Sequence, residues 1–192
     1  MEKSDSLSPQ ESLDIIAKVI QQTKENFKEQ SFYYLIWGWL LTIAAVAHYL
    51  ILNFSQFKPD YLPWLIVMPI GWIMCYQYSK KLGIEKPYET HLEKFLKYLW
   101  IVIGISIFFF VFVAVTLKIQ PAIFILLLAG IGTLVSGLSM KFKPFMIGGG
   151  LFFIFSVVSL YIDSSLILLI YAIAIIVGYL VPAYFLKNSW IN

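Results

Sequence analysis

The chain has 192 residues, of which 60% are hydrophobic, 18% aromatic and only 13% charged, and its formal net charge is +3. About a quarter of the residues of an ordinary soluble domain are charged, so this composition excludes a typical water-soluble globule. All 14 basic residues are lysines, and the bidentate arginine contacts that favour phosphate recognition are missing, so we expect no nucleic-acid partner.

The first thirty residues form a polar arm that contains a helix start. Ser8 is a capping residue, Pro9 occupies the first helical position, and Glu11 closes a capping box. Apolar residues then recur at spacings of three and four, which predicts an amphipathic helix of about five turns. We expect this helix to contact a partner through Leu13, Ile16, Ile20 and Phe27.

Six apolar runs follow, each close to the roughly 20 residues that cross a bilayer as a helix. Polar residues and proline separate the later runs, and the short connections predict that the third to sixth helices are sequential antiparallel neighbours. The predicted spans are Phe32 to Phe54, Tyr61 to Tyr78, Leu99 to Leu117, Ala122 to Met140, Phe145 to Ile162, and Leu166 to Leu186. The lipid bilayer is therefore the expected partner of residues 31–192, and the arm comprises residues 1–30.

Lysines in the connections predict the orientation of the spans, because cytoplasmic loops are enriched in basic residues. Twelve of the 14 lysines fall on one side of the predicted bundle, and only Lys58 and Lys118 fall on the other. We therefore place both termini in the cytoplasm. The predicted fold is an all-α integral membrane protein, a bundle of six transmembrane helices with an N-terminal amphipathic cytoplasmic helix.

The segment from Ser79 to Tyr98 is a second cytoplasmic feature. It carries a net charge of +2, and Thr90 with Glu93 repeats the capping-box pattern. Leu92 and Phe95 are further candidates for partner contact. Two arrangements remain open: the arm packs on this segment as a cytoplasmic cap, or it self-associates or extends the first span into water.

No cluster of residues indicates catalysis. Asp, Glu and Lys are absent from the spans, and one cysteine with two histidines is a poor set of metal ligands, so we expect no enzyme activity, cofactor or metal. Candidates for a ligand or pore site are Pro69, Gly71, Thr133, Ser136 and His48. The alternatives are a proline kink and close helix crossings, and for His48 a hydrogen bond to a neighbouring helix or to headgroup water.

Two segments carry a resemblance to a known group of proteins. The run from Ser31 to Trp39, and Lys141-Phe142-Lys143-Pro144 with Gly148-Gly149, resemble an uncharacterised family of short polytopic membrane proteins of Bacteroidetes. The resemblance implies the membrane class and a bacterial inner membrane, and it implies no activity.

Two functional hypotheses follow from these observations. The first is a non-enzymatic inner-membrane protein that acts as an anchor, sensor or regulatory subunit and contacts a protein partner or a second copy through its cytoplasmic helices. The second is a small-solute transporter or channel subunit that uses the interruption of helix 2 at Pro69 and Gly71.

Overall fold

The computed structural model describes residues 8–85, 90–162 and 164–188, and within these ranges the chain is helical with no β-strand. A 3₁₀ turn at Ser159–Tyr161 and a π-helical segment at Ile176–Leu180 interrupt the α-helices. The α-helices are α1 (Pro9–Phe54), α2 (Leu62–Glu85), α3 (His91–Leu117), α4 (Ala122–Ser139), α5 (Lys143–Val158), α6 (Ser164–Ile175) and α7 (Val181–Asn188).

Both predicted capping boxes are confirmed. At the start of α1, the Ser8 N–H donates to Glu11 Oε2 at 2.8 Å, and the Glu11 N–H donates to Ser8 Oγ at 3.2 Å. At the start of α3, Thr90 and Glu93 exchange equivalent bonds of 2.7 and 3.3 Å. Each box gives a hydrogen-bond acceptor to two backbone N–H groups that have no partner within the helix.

The Ser8 cap also affects the charge of Glu11. The bond from the Ser8 backbone N–H, and then the Ser8 hydroxyl, lower the pKa of the Glu11 carboxyl from its ordinary value. Because the carboxylate is the form that accepts these bonds, their stabilisation is present above the ordinary carboxyl pKa. It is lost as the pH falls through the lowered pKa.

The predicted turns between α3 and α4 and between α4 and α5 are confirmed. Lys118 and Lys141 adopt left-handed backbone conformations, with φ of 56° and 52°. The following amides turn back to the preceding helix: Ile119 N–H donates to the Ala114 carbonyl at 2.9 Å, and Phe142 N–H donates to the Gly137 carbonyl at 2.8 Å. These are Schellman ends, which satisfy helix carbonyls without water.

Of the arrangements left open for the arm, the structure shows its helix as a direct extension of the first span. α1 runs for 46 residues from Pro9 to Phe54 without interruption, so the amphipathic segment is the first half of the same helix that contains the first apolar run. At about 1.5 Å per residue, α1 is about 69 Å long. The polarity changes near Ser31, but no glycine or proline lies there to end the helix.

α1 occupies the middle of the packing arrangement. It contacts α2, α6 and α7, while α4 packs against α3 on one side and most extensively against α5 on the other. α5 in turn contacts α6 and the π-helical segment. The expectation that the third to sixth helices are sequential neighbours is confirmed.

Glycines allow the closest helix approaches. A Cβ atom added to Gly149 on α5 would lie 2.6 Å from the backbone nitrogen of Leu134 on α4, and one on Gly137 would lie 2.6 Å from the Met146 nitrogen. A Cβ on Gly148 would overlap the carbonyl oxygen of Gly178 in the π-helical segment. Gly148 and Gly149 at the start of α5 are therefore the points where helix backbones cross.

This crossing gives a matched pair of substitutions. Gly149→Ala forces its methyl group against the α4 backbone, which cannot move away as a side-chain end can, so we expect a loss of about 1–3 kcal/mol in the free energy of unfolding. Gly150→Ala meets no atom within 4 Å and gains helix propensity, so it should stabilise by about 0.5–1 kcal/mol. Unfolding curves in detergent measure both, and equal stability of the two variants would contradict the crossing.

The outer surface of the helices is apolar. On α3 alone, the fractional exposure of Phe108 is 79%, of Phe112 66% and of Val115 68%. Within the described residues, five helical stretches are long and apolar enough to cross a membrane: Glu29–Phe54, His91–Leu117, Ala122–Ser139, Lys143–Tyr161 and Leu166–Asn188. α2 has 24 residues, but its polar end makes it less apolar than these five, and Pro69 lies inside it.

Candidate functional site

The alternating directions of the helices define two ends of the bundle. The lysine-rich end is formed by the end of α2, the start of α3, the turn between α4 and α5 and the end of α7, and it carries Lys80, Lys81, Lys94, Lys97, Lys141, Lys143 and Lys187. The lysine-poor end carries Lys58 and Lys118. Polar side chains come together inside the bundle near each of these ends.

Near the lysine-rich end, aromatic rings from four helical segments form an aromatic core around Tyr34. The Tyr34 ring meets Trp100 and Tyr179 edge to face, with centroids 5.9 and 5.2 Å away, and lies 4.4 Å from Phe145. Trp100 and Tyr179 also meet each other at 5.7 Å. Rings at these separations touch, so the aromatic core is filled with side chains and has no space between the rings for a ligand.

Ser136, one of the candidate pore residues, borders the aromatic core, and the candidate Thr133 lies three residues before it on α4. Both are fully buried, and neither hydroxyl has a hydrogen-bond partner among the described residues. The Ser136 hydroxyl lies beside the Tyr34 phenol oxygen without meeting the geometry of a hydrogen bond. The Trp100 indole N–H instead donates to Tyr34 Oη at 3.2 Å. The structure thus brings Thr133 and Ser136 together inside a packed region.

The Tyr34 hydroxyl gives a second matched pair. Tyr34→Phe removes the acceptor of the Trp100 indole in the bundle interior, and an unsatisfied buried donor costs about 1–3 kcal/mol in the free energy of unfolding. Tyr161→Phe removes the same hydroxyl from a ring that is 84% exposed at the lysine-poor end and that has no bond to another described residue, so it should change the free energy of unfolding by less than about 0.5 kcal/mol. Unfolding midpoints in detergent compare the two variants, and an equal loss in both would contradict a stabilising bond between Tyr34 and Trp100.

Near the lysine-poor end, His48 of α1 lies between two partners. The Trp64 indole N–H on α2 donates to His48 Nδ1 at 2.9 Å, and His48 Nε2 lies 3.9 Å from Asp60 Oδ2 in the preceding connection. The Trp64 ring also packs edge to face against Tyr171 of α6. His48 is thus hydrogen-bonded to a neighbouring helix, which is the structural alternative that the sequence offered.

The sequence analysis did not single out Asp60, although a usable signal was present. α1 and α2 form an antiparallel hairpin with a short connection, so a residue six positions before the end of α1 lies near the level of the first turns of α2 and of the connection that carries Asp60.

The chemistry available to His48 is limited by its bonds. Nδ1 uses its lone pair to accept the indole proton, so Nε2 carries the imidazole proton and faces Asp60. A general base needs a free lone pair within reach of a substrate, and this arrangement leaves none. Among the described residues, no group of three His, Cys, Asp or Glu side chains is placed to hold a metal ion.

The other pore candidates lie apart from His48 and from the aromatic core. Pro69 is exposed on the outer surface of α2. Gly71 is buried, and the Trp37 ring of α1 covers it at 2.8 Å from the position of an added Cβ. The five candidates thus do not meet at one site, and a pore that uses them stays a prediction.

The candidate partner-contact residues are placed as follows. Leu13 is exposed near the start of α1, and Phe95 is exposed on α3. Leu92 is half-buried against the core of the bundle. The side chains of Ile16, Ile20 and Phe27 lie outside the described residues, although the α1 backbone that carries them is described.

Comparisons with known proteins add no assignment. No protein-family model matches the chain, and neither the curated proteins nor the solved structures include a significant match. The functional argument therefore depends on the chain's own geometry.

Proposed function

We propose that this protein is a non-enzymatic multi-pass protein of the bacterial cytoplasmic membrane, which serves as an anchor, sensor or regulatory subunit. The membrane location is supported by the apolar perimeter, because soluble proteins rarely expose contiguous apolar patches larger than a few hundred Å². We propose six spans, with α2 as the sixth, since its 24 residues reach about 36 Å as a helix.

The proposed orientation places the lysine-rich end and both termini in the cytoplasm. Ten of the described lysines lie on α1 before residue 30 or at the lysine-rich end, against Lys58 and Lys118 at the other. The positive-inside rule relates this asymmetry to topology. The resemblance to short membrane proteins of Bacteroidetes agrees with the proposal and adds no activity.

The functional proposal rests on the distance by which α1 extends beyond the end of α2 and the start of α3. The Phe32 ring stacks on Tyr78 of α2 at 3.6 Å, and Tyr34 contacts Trp100 of α3. α2 ends seven residues after Tyr78 and α3 begins nine residues before Trp100, so both described ends lie near the level of residue 25 of α1. α1 continues back to Pro9, about 24 Å farther.

The projecting half of α1, residues 9–30, has a pattern suited to pairing. Leu13, Ile16, Ile20, Thr23 and Phe27 alternate spacings of three and four residues, as in the seam of a two-stranded coiled coil. Two copies in one membrane present these segments parallel and at the same height. We therefore infer that residues 9–30 pair with the same residues of a second copy of the chain.

Pairing can be measured by disulfide formation between two copies. In a Cys75→Ser background, Thr23→Cys on the seam should form a disulfide-linked dimer on mild oxidation of membranes. Ile16→Asp with Ile20→Asp places carboxylates in the seam and should reduce the dimer about tenfold or more. Gln21→Asp with Gln22→Asp adds the same charge on the opposite face of the helix and should leave the dimer unchanged.

The outcomes of this experiment separate the explanations. An equal loss in both double variants would indicate a general charge effect and contradict the seam. A Thr23→Cys protein that forms no dimer at all would contradict self-pairing and leave a different protein as the occupant of residues 9–30.

The alternative function, a small-solute transporter or channel subunit, stays a hypothesis. It requires a polar passage at the interruption of α2. Pro69 faces outward and Trp37 covers Gly71, so no described contact of these two residues favours it over the anchor.

A further inference from the structure

The bond between His48 and Trp64 exists in one protonation state of the histidine only. An indole N–H is a donor and has no acceptor atom, so His48 Nδ1, 2.9 Å away, must hold a free lone pair. The imidazole is therefore neutral while this bond links α1 to α2. Its single proton lies on Nε2, which faces the Asp60 carboxylate at 3.9 Å.

A second proton on His48 changes both contacts in opposite directions. The second proton occupies Nδ1, so the Nδ1–H of His48 would face the indole N–H of Trp64, and the hydrogen bond between them is lost. At the same time the imidazolium gains a carboxylate partner in Asp60, and charge-assisted bonds of this kind are stronger than neutral ones. One proton thus exchanges a bond between two helices for an ion pair between α1 and the connection.

We propose that His48, Trp64 and Asp60 form a pH-operated latch between α1 and α2 at the lysine-poor end of the bundle. Above the titration of His48 the latch is closed, with Trp64 bound to His48. Below it the latch is open, with His48 paired to Asp60 and Trp64 released. Histidine ordinarily titrates near pH 6.5, within the range that the outside of a bacterial cell experiences.

Solvent access and the surrounding charges agree with the latch. Asp60 lies in the connection between α1 and α2, beyond the end of the first span, and its side chain is 37% exposed, so protons reach the pair from the water at this end of the bundle. Among the described residues, Asp60 is the charged group that acts on His48. Lys58 lies in the same connection, and α6 contributes the Tyr171 phenol behind Trp64, a group type that stays neutral near pH 6.5.

Opening the latch would affect helix packing at this end of the bundle. Trp64 of α2 packs between His48 of α1 and Tyr171 of α6, so its release loosens the contacts of α2 with both helices. α1 also carries residues 9–30 at its other end. The latch is argued from the contacts of His48 alone, and it holds or fails independently of what those residues bind.

The test is a pH titration of the full chain in detergent or nanodiscs, followed by ¹⁵N nuclear magnetic resonance. Trp64→Phe assigns the Trp64 indole signal, and His91→Gln leaves His48 as the only histidine by removing the exposed one at the start of α3. Between pH 8 and pH 5 we expect the indole proton to move from a hydrogen-bonded to a free shift. The His48 nitrogens should show an Nε2–H tautomer at high pH and an imidazolium at low pH.

Two substitutions then test the separate contacts. His48→Asn offers an amide oxygen near the position of Nδ1 that does not titrate, so the indole shift should become independent of pH. Asp60→Asn removes the negative charge that favours the imidazolium, so the midpoint should fall by roughly 0.5–1 pH unit.

An indole signal of Trp64 that does not change with pH in the unsubstituted chain would overturn the latch. So would an Nδ1–H tautomer of His48 at high pH, or an Asp60→Asn midpoint equal to or above that of the unsubstituted chain. The tautomer is read from the unsubstituted protein, so the test remains decisive if His48→Asn does not fold.

Discussion

Close contact between helix backbones is the interaction on which this bundle depends. Hydrocarbon is as apolar as a leucine side chain, so helices inside a membrane gain little by burying apolar surface and must gain by packing. Gly137 and Gly149 let α4 and α5 approach until backbone meets backbone, and Gly148 does the same with Gly178 in the π-helical segment. The aromatic core is built on this crossing, because Phe145 and Phe152 lie beside the same glycines.

The polar groups of the interior follow from the same constraint. Where no water is near, an indole N–H or a hydroxyl needs a hydrogen-bond partner inside the protein, and an unsatisfied group lowers the stability of the fold. The Trp100 indole bonds Tyr34 and the Trp64 indole bonds His48. Within the part of the chain that the structure describes, the buried hydroxyls of Thr133 and Ser136 have no hydrogen-bond partner. A filled interior of this kind suits an anchor or sensor, which works through its surfaces, better than a passage for solutes.

The sequence predicted the features that local chemistry decides. Both capping boxes and the turns at Lys118 and Lys141 depend on a few neighbouring residues, and each could be read directly. The continuity of α1 was one of the arrangements left open, because a change in polarity near Ser31 resembles a boundary although nothing there breaks a helix. The π-helical segment and the outward direction of Pro69 depend on how helices rotate against each other, which apolar runs of uniform hydrophobicity do not encode.

The central claim is that the bundle crosses a membrane with its lysine-rich end in the cytoplasm, and Lys118 and Lys141 offer a direct measurement. Both are exposed lysines in left-handed turns at opposite ends of α4. In a Cys75→Ser background, single cysteines at these positions can be labelled with a membrane-impermeant maleimide. We expect the cysteine at position 118 to react in intact cells and the one at position 141 only after lysis. Labelling at position 141 in intact cells, or recovery of the protein in the soluble fraction, would contradict the account.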